Sequence, residues 1–261
     1  MILAKQVGLT NLAVTDHDTI DGLDEAIRAA AVAVIGLVPG IELAVDYPTG
    51  RFHMLGHFID HNSPQLDDRL TLLKENRTKR NERMVAKLND LGIAIGMAQV
   101  VAESGGGQIG RPHMAHALLK AGHVSSLREA FERYLADGAA AHVPKDKIGL
   151  EEGIALIHAA GGLATMAHPS SIKVPYEKLL PELQRLKALG LDGMECYYSQ
   201  HTEEQRRTLE DMAGEVGLLV TGGSDFHGTA KPHVFLGQVE NGQPAPNWIF
   251  DAMKASVRNR F

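Results

Sequence analysis

The stretch Ala13-Val14-Thr15-Asp16-His17-Asp18-Thr19 decides how the rest of the chain is interpreted. A short apolar run ends here at two carboxylates that flank a histidine, and a helical pattern follows over residues 22–31. This order predicts a strand, a sharp turn and a helix. In α/β folds, polar residues directly after a strand lie at its carboxyl end, where these folds carry their chemistry.

The same arrangement recurs at three other predicted strand ends: Gly40-Ile41-Glu42, Met166-Ala167-His168-Pro169 and Ser224-Asp225-Phe226-His227. Taken singly, each has an ordinary explanation, because Asp and Thr commonly cap helices and an isolated histidine is more often structural. Four strand ends of this kind favour a metal site. Imidazoles and carboxylates bind Mn, Fe or Zn, and a carboxylate can bridge two ions.

The composition is that of one globular α/β domain, with or without an insertion: 261 residues, 44% hydrophobic and 22% charged. A net charge of −6 argues against a large nucleic-acid or membrane surface. The single cysteine, Cys196, excludes an internal disulfide and is typical of a cytoplasmic protein. No membrane-spanning segment and no obligate protein partner are indicated, whereas 13 histidines favour a catalytic or metal site.

The middle of the chain has a different pattern. Helical periodicity replaces strand signals, with helices predicted over residues 66–91, 97–103, 112–121 and 127–135. We therefore predict an all-α insertion at residues 64–148, between two parts of an α/β domain at residues 1–63 and 149–261. A further short strand is predicted near residues 234–239.

A hairpin is predicted at residues 43–46 and 51–59, with its turn at Tyr47-Pro48-Thr49-Gly50. Its second arm carries His53 and His57, which are four residues apart and share one face of a strand. We favour His53 as a metal ligand because it begins the arm, and the role of His57 stays open between ligand and structural residue. Glu195, which follows a later strand, is interpreted as a buried carboxylate rather than a ligand.

Within the insertion, Gly110-Arg111-Pro112-His113 predicts the start of a helix, since proline is favoured at the first helical positions. The amino terminus of a helix attracts anions, and an adjacent guanidinium and imidazole strengthen that attraction. Arg111 and His113 are therefore predicted to bind a substrate phosphate.

Taken in order, these motifs resemble the PHP (polymerase and histidinol phosphatase) metal-dependent phosphoesterases, and the match runs along nearly the whole chain. The insertion with Gly110-Arg111-Pro112-His113 is similar to the branch that includes nucleoside 3′,5′-bisphosphate phosphatases and short-RNA 5′-exonucleases. The resemblance implies a distorted (β/α)7 barrel that holds up to three divalent ions, with manganese expected and iron or zinc as alternatives. The ligands it implies are His17, Glu42, His53, His168, Asp225 and His227, with Glu42 as the bridging carboxylate.

The resemblance also implies the roles of individual residues. Arg111, His113 and His201 would hold the phosphate, and His17 and Asp225 would act at the metals. We expect the leaving group to be protonated by a histidine near the cluster, either His201 or another imidazole that is not a ligand. The expected reaction is hydrolysis, by metal-activated water, of a nucleotide phosphomonoester or of the end of a short oligonucleotide. A small phosphorylated substrate is then the expected binding partner. The alternatives are a histidinol-phosphatase-like enzyme for small metabolites and an inactive module that binds metal or nucleotide.

The chain departs from the family pattern at its start. Family members open with a strand that ends in His-x-His, followed by an aspartate in a Ser-Asp-Gly stretch, and neither motif is present here. The expected barrel therefore lacks its first strand, and six ligands remain. We interpret the sequence as an N-terminally truncated version of a longer enzyme, and the alternative is a protein whose site has lost ligands.

Overall fold

The computed structural model describes residues 1–258, in which the chain forms two compact units. The first, called the sheet unit here, combines Met1–Leu70 with the chain from Lys147 onward. The second, the helical unit, is Thr71–Asp146. The first boundary falls inside a long helix, whereas the sequence predicted it at the start of that helix.

In its described residues, the sheet unit contains six strands: β1 Asn11–Val14, β2 Gly36–Val45, β3 Phe52–His57, β4 Leu163–Met166, β5 Gly193–Tyr198 and β6 Leu219–Gly223. Its helices are α1 Ile2–Gln6 and α2 Leu23–Ala33, the first turns of α3 Pro64–Asp90, and α7 Leu150–Ala159, α8 Tyr176–Ala188, α9 Glu203–Val216 and α10 Asn247–Arg258. The described part of the chain contains no helix long and apolar enough to cross a membrane.

The strands form one sheet in the order of the sequence, β1-β2-β3-β4-β5-β6. The β1–β2, β4–β5 and β5–β6 pairs are parallel and joined through α2, α8 and α9, whereas β3 runs antiparallel to both of its neighbours. The predicted hairpin is confirmed, since Val45 pairs with Phe52 across the turn. Residues of both edge strands, β1 and β6, line the same cavity, so the sheet curls towards a barrel.

One predicted strand is wrong. Residues 234–239 form consecutive turns, in which the N–H of Val234 donates to the Lys231 carbonyl and that of Gln238 to the Phe235 carbonyl. Pro232 precedes this segment and Gly237 has a positive φ of 77°. Proline and a left-handed glycine both interrupt an extended strand, which explains why the apolar alternation did not form one.

The helical unit has its own hydrophobic core. It contains the rest of α3, followed by α4 Met97–Ala102, α5 Arg111–Lys120 and α6 Leu127–Ala130, which continues as a π-helical turn over Phe131–Leu135. Met84 and Leu88 of α3, Met114 and Leu118 of α5 and Leu135 are completely buried together. The four helices predicted in this segment are confirmed, and their apolar spacing forms this core.

The carboxyl end of β1 and the centre of β2 approach each other closely at Gly40. A Cβ atom placed on Gly40 would lie 2.6 Å from the Gly56 carbonyl oxygen on β3 and 2.7 Å from Cγ2 of Thr15. Both distances are shorter than carbon atoms tolerate, so a glycine is required where these three segments meet.

We expect Gly40→Ala to lower the free energy of unfolding by about 1–3 kcal/mol, because an added methyl group has no space between two backbones. Gly214→Ala is the matched control: its Cβ would have no atom within 4 Å and it lies within α9, so it should stabilise by about 0.5–1 kcal/mol. Urea unfolding followed by circular dichroism measures both. An equally stable Gly40→Ala would contradict the close approach.

Candidate metal centre

Glu42 of β2 lies at the centre of the predicted ligands. Its Oε1 is 2.7 Å from Nδ1 of His53 and 3.4 Å from Nε2 of His168, and its Oε2 is 3.4 Å from Nε2 of His17. The Glu42 side chain is almost completely buried. Three imidazoles from three different segments therefore surround one buried carboxylate.

Backbone pairing places His17 beside Glu42. The Asp18 N–H donates to the Glu42 carbonyl at 2.9 Å, and the Glu42 N–H donates to the Asp16 carbonyl at 3.0 Å. The Asp18 carboxylate also accepts the Ala44 N–H at 3.1 Å. Neither aspartate caps a helix, since α2 begins after Gly22, so the capping explanation is excluded for this motif.

The loops that carry other predicted ligands leave their strands at strained residues. Asp18, His168 and Asp225 have φ angles of 52°, 29° and 56°, and they follow β1, β4 and β6. A non-glycine residue in this conformation costs of the order of 1–3 kcal/mol. Such strain is common where side chains must converge on one point.

The electrostatics keep Glu42 ionised. Burial alone would raise the pKa of this carboxyl group, but the imidazoles of His168, His53 and His17 hold it well below its usual range. The pKa of His168 is raised despite burial, because its contact with the Glu42 carboxylate and the charge of Asp225 favour its protonated form. An anionic carboxylate beside imidazoles is a donor set that suits a divalent cation.

Two buried atoms of this cluster fit a cation directly. Oε1 of Glu42 and Nδ1 of His53 are 2.7 Å apart, yet neither forms a hydrogen bond with favourable angles in the described part of the structure. Buried polar atoms are rarely left without a partner, and a metal ion would satisfy both. The residues therefore fit metal binding.

The side chains form two groups that could each hold an ion. One is His17, Glu42 and His53, and the other is Glu42, Asp225 and His227; in each, the ligand atoms lie within 4.8 Å of one another. Glu42 belongs to both groups, as expected for a bridging carboxylate. With His168 against Glu42, the structure brings all six predicted ligands together, and their individual metal contacts stay predictions.

The hydrogen-bond partners of His168 and His227 determine which nitrogen of each imidazole faces the metal centre. Nδ1 of His168 is 2.8 Å from Oγ of Ser171, whose hydroxyl donates to the Arg51 carbonyl at 2.7 Å. Because that hydroxyl has one proton, it accepts from Nδ1–H of His168, which leaves Nε2 free for a metal. Nδ1 of His227 similarly lies 2.8 Å from the Asp225 carbonyl, so its Nε2 is also free.

Several residues that support the ligands carry no recognisable signal in the sequence. Ser171, Tyr198 and Lys231 are ordinary residue types at unremarkable spacings, and their roles follow only from the contacts that they make with His168 and Asp225 in the folded chain. Glu195 is buried, as expected, and accepts the His168 N–H at 2.8 Å. Burial raises the pKa of Glu195 to about 8.

His57 has a structural environment. It is buried, and its Nδ1 lies 3.0 Å from the hydroxyl of Thr165 on β4. Burial lowers the pKa of His57 to about 4, so the ring is neutral at physiological pH. These contacts favour the structural interpretation that the sequence left open.

The predicted phosphate-binding residues occupy three different environments. Arg111 begins α5, and its guanidinium donates to the Leu135 carbonyl at 3.1 Å and to the Asp137 carboxylate at 2.6 Å. Nδ1 of His113 accepts the Gly110 N–H at 3.0 Å, which closes the first turn of that helix. Both side chains belong to the helical unit, and their contact with substrate stays a prediction.

His201 belongs to the sheet unit and is buried. Its ring lies 5.1 Å from that of Tyr198, its Nδ1 is 2.9 Å from the Cys196 carbonyl, and burial lowers its pKa. It is not among the described residues that line the cavity beside the metal centre. The predicted roles of His201 in phosphate binding and proton transfer therefore stay predictions.

The cavity beside this centre has a volume of about 960 Å³ and is lined by His17, Glu42, His168, Asp225 and His227, among other residues of the sheet unit. A cavity of this size accommodates a nucleotide-sized ligand.

Comparison with known proteins identifies the relatives of this chain, although no protein-family model matches it. It is 36% identical to the 5′-3′ exoribonuclease of Haemophilus influenzae over 222 residues, and this alignment covers 84% of this chain and 80% of that protein. It is 31% identical over 250 residues to the 3′,5′-nucleoside bisphosphate phosphatase of Chromobacterium violaceum, covering 94% and 87%. The chain belongs to this family of phosphoesterases.

Solved structures of similar proteins confirm the expected fold class for this phosphoesterase. A metal-dependent phosphoesterase of Bifidobacterium adolescentis superposes with a TM-score of 0.80 at 31% identity, over 97% of this chain and 87% of that one. An amidohydrolase of Chromobacterium violaceum, solved with bound sulfate and no metal, gives 0.81 at 29% identity, over 97% and 89%. The resemblance drawn from the sequence motifs is thereby confirmed.

We expect Glu42→Gln to weaken divalent-metal binding by more than about 100-fold, because the substitution removes the anionic ligand that both metal groups share. Glu215→Gln, on the exposed face of α9, is the control and should bind metal as the wild type does. Equilibrium dialysis with elemental analysis counts the ions per chain. An unchanged count in Glu42→Gln would contradict the central place given to this carboxylate.

A second prediction concerns stability and pH. The neutral form of His57 is favoured by folding, so the unfolded chain takes up a proton at higher pH than the native chain does. The contribution of His57 to the free energy of unfolding is fully present above about pH 6.5. It declines as the pH falls towards 4, by about 2 kcal/mol between pH 7.5 and 5.

We therefore expect the free energy of unfolding to fall less steeply on acidification in His57→Gln than in the wild type. Urea unfolding in a chelating buffer at several pH values measures the slope without a contribution from bound metal. His233→Gln, an exposed histidine, is the control and should retain the wild-type slope. Parallel slopes for His57→Gln and the wild type would exclude this account.

Proposed function

We propose that this phosphoesterase hydrolyses a nucleotide phosphomonoester, such as that of a nucleoside 3′,5′-bisphosphate, or the end of a short oligonucleotide. The observation that carries the proposal is Glu42, a buried carboxylate that two metal-binding groups share at the wall of a nucleotide-sized cavity. The relatives support the substrate class, since one is named an exoribonuclease and another a nucleoside bisphosphate phosphatase. Both named substrates present a phosphate next to a ribose.

The metal ions would be held by the side chains described above. His17, Glu42 and His53 would hold one ion, and Glu42, Asp225 and His227 a second, with His168 beside them. When bound, divalent ions offset negative charge on phosphoryl oxygens and lower the pKa of water. We propose manganese, with iron and zinc as the alternatives that the same nitrogen and oxygen ligands accept.

The residues of the chain contribute before any substrate arrives. The three imidazoles keep Glu42 anionic inside the protein, and Ser171 holds the His168 ring in the tautomer whose Nε2 faces Glu42. Because these groups are already oriented, little reorganisation is needed when the substrate binds. We propose that His17 and Asp225 act as ligands at the reacting phosphate.

Substrate recognition is proposed for Arg111 and His113. Asp137 and the Leu135 carbonyl hold the Arg111 guanidinium in one orientation, and a fixed guanidinium binds phosphate oxygens well. Burial and the charge of His116 lower the pKa of His113, which favours the neutral form of the ring. A cytoplasmic location is proposed because the single cysteine needs no oxidising compartment.

The test is phosphate or nucleotide release by the purified chain with Mn²⁺, using adenosine 3′,5′-bisphosphate, a 5′-phosphorylated RNA trinucleotide and histidinol phosphate. We expect the two nucleotide substrates to be preferred, and His168→Ala to reduce kcat by more than about 100-fold, since it removes a side chain of the metal centre. His233→Ala is the control and should retain full activity.

Three results would argue against this function. Faster turnover of histidinol phosphate would favour the small-metabolite phosphatase. Bound metal without turnover of any substrate would favour the binding module. Full activity in His168→Ala would place the chemistry elsewhere in the molecule.

A further inference from the structure

The two carboxylate oxygens of Asp225 have different neighbours. Oδ2 accepts hydrogen bonds from the Tyr198 hydroxyl at 3.1 Å and from the ammonium group of Lys231. Oδ1 lies 3.2 Å from Nδ1 of His227, within the group that also contains Glu42. One oxygen is therefore held by two donors, and the other is turned towards His227, with which Asp225 and Glu42 form one of the metal-binding groups.

A short helical turn after β6 places Lys231 beside the Asp225 carboxylate. Gly228–Ala230 forms a single helical turn after the metal-binding motif, and the Ala230 N–H donates to the His227 carbonyl at 3.1 Å. The Lys231 N–H closes the turn on the Gly228 carbonyl. Lys231 is not among the described residues that line the cavity, so its ammonium supports the carboxylate without forming the wall against which a substrate would lie.

Tyr198 reaches the same oxygen because β5 contains a bulge. The pairing of β5 with β6 shifts between Glu195 and Tyr197, so Glu195 and Tyr198 both point towards the site although they are three residues apart. The Tyr198 hydroxyl therefore donates to Oδ2 of Asp225 from a neighbouring strand of the same sheet.

We propose that Lys231, together with Tyr198, is a positioning residue for the metal centre: it holds Oδ2 of Asp225 so that Oδ1 is the oxygen offered to the ion shared with Glu42 and His227. A carboxylate that is free to rotate loses orientation entropy when it binds a metal, and two donors on Oδ2 remove that cost in advance. Residues that orient a ligand in this way typically change metal affinity by about 10–100-fold.

If Lys231 competes with the metal ion, its removal should change the metal affinity in the opposite direction. If the ammonium merely occupied the place of a cation, it would compete with the metal, and its removal would tighten metal binding. The two roles are therefore distinguished by the sign of one measured change.

The experiment is titration of the metal-free chain with Mn²⁺, in which electron paramagnetic resonance measures free Mn²⁺. The variants are Lys231→Met, which removes the charge and keeps the stem, Lys231→Arg, which keeps a cationic donor, and Tyr198→Phe. Lys178→Met, an exposed lysine on α8, is the matched control. Thermal unfolding of each metal-free variant verifies the fold, and Tyr198→Phe tests the same oxygen independently if Lys231→Met does not fold.

We expect Lys231→Met to weaken Mn²⁺ binding by about 10–100-fold, Tyr198→Phe to weaken it by less, and Lys231→Arg to restore most of the affinity. In turnover of adenosine 3′,5′-bisphosphate at limiting Mn²⁺, kcat should fall while KM stays the same, and excess Mn²⁺ should restore kcat. Unchanged or tighter metal binding in Lys231→Met would overturn the proposal.

This inference rests on the proposed metal-dependent function, and the two can fail separately. A weaker metal affinity in Lys231→Met with no turnover by the wild type would support the positioning role and refute the substrate assignment. No metal binding by the wild type would overturn both.

Discussion

The site depends on one buried negative charge. Glu42 is enclosed by the fold and surrounded by His17, His53 and His168, so its ionised form is maintained by neighbours and not by water. A buried carboxylate without partners would take up a proton, because desolvation penalises the charged form. The carboxylate and the imidazoles therefore stabilise one another's charged forms, and the segments that carry them must meet at this point.

The arrangement of the strands satisfies that requirement. Glu42 and His53 lie on neighbouring antiparallel strands. The loop after β1 also pairs with β2, because the backbones of His17 and Glu42 form an isolated parallel β-bridge. His168 and Asp225 reach the same place from β4 and β6 through residues in left-handed conformations. The backbone strain at these turns is offset by the packing of the central strands, since every residue of β4 and most residues of β2, β3 and β5 are buried.

Around the ligands, a second set of contacts limits the freedom of each ring or carboxylate. Ser171 selects the tautomer of His168, the Asp225 carbonyl does the same for His227, and Glu195 holds the backbone of His168. These contacts come from one hydroxyl, one main-chain carbonyl and one carboxylate outside the predicted ligand set. A cluster of ligands becomes a defined site for phosphoester hydrolysis only when such neighbours fix it.

The sequence by itself determined the α/β pattern and the helices of the middle segment, because each leaves a local signal. Local signals also marked the strand ends as candidate metal sites, and the resemblance to the PHP phosphoesterases implied the set of six ligands. Strand ends carry a polar residue after an apolar run, and helices repeat every 3.6 residues. The strand predicted at residues 234–239 was wrong for the same reason. Apolar alternation is a local signal, and here Pro232 and Gly237 favour turns in place of a strand. Only the tertiary structure decided that the buried ring of His57 contacts Thr165, that the bulge in β5 turns Tyr198 towards Asp225, and that Lys231 reaches the same carboxylate. Those contacts join residues whose types and spacings are ordinary, and what distinguishes them is where the folded chain places them.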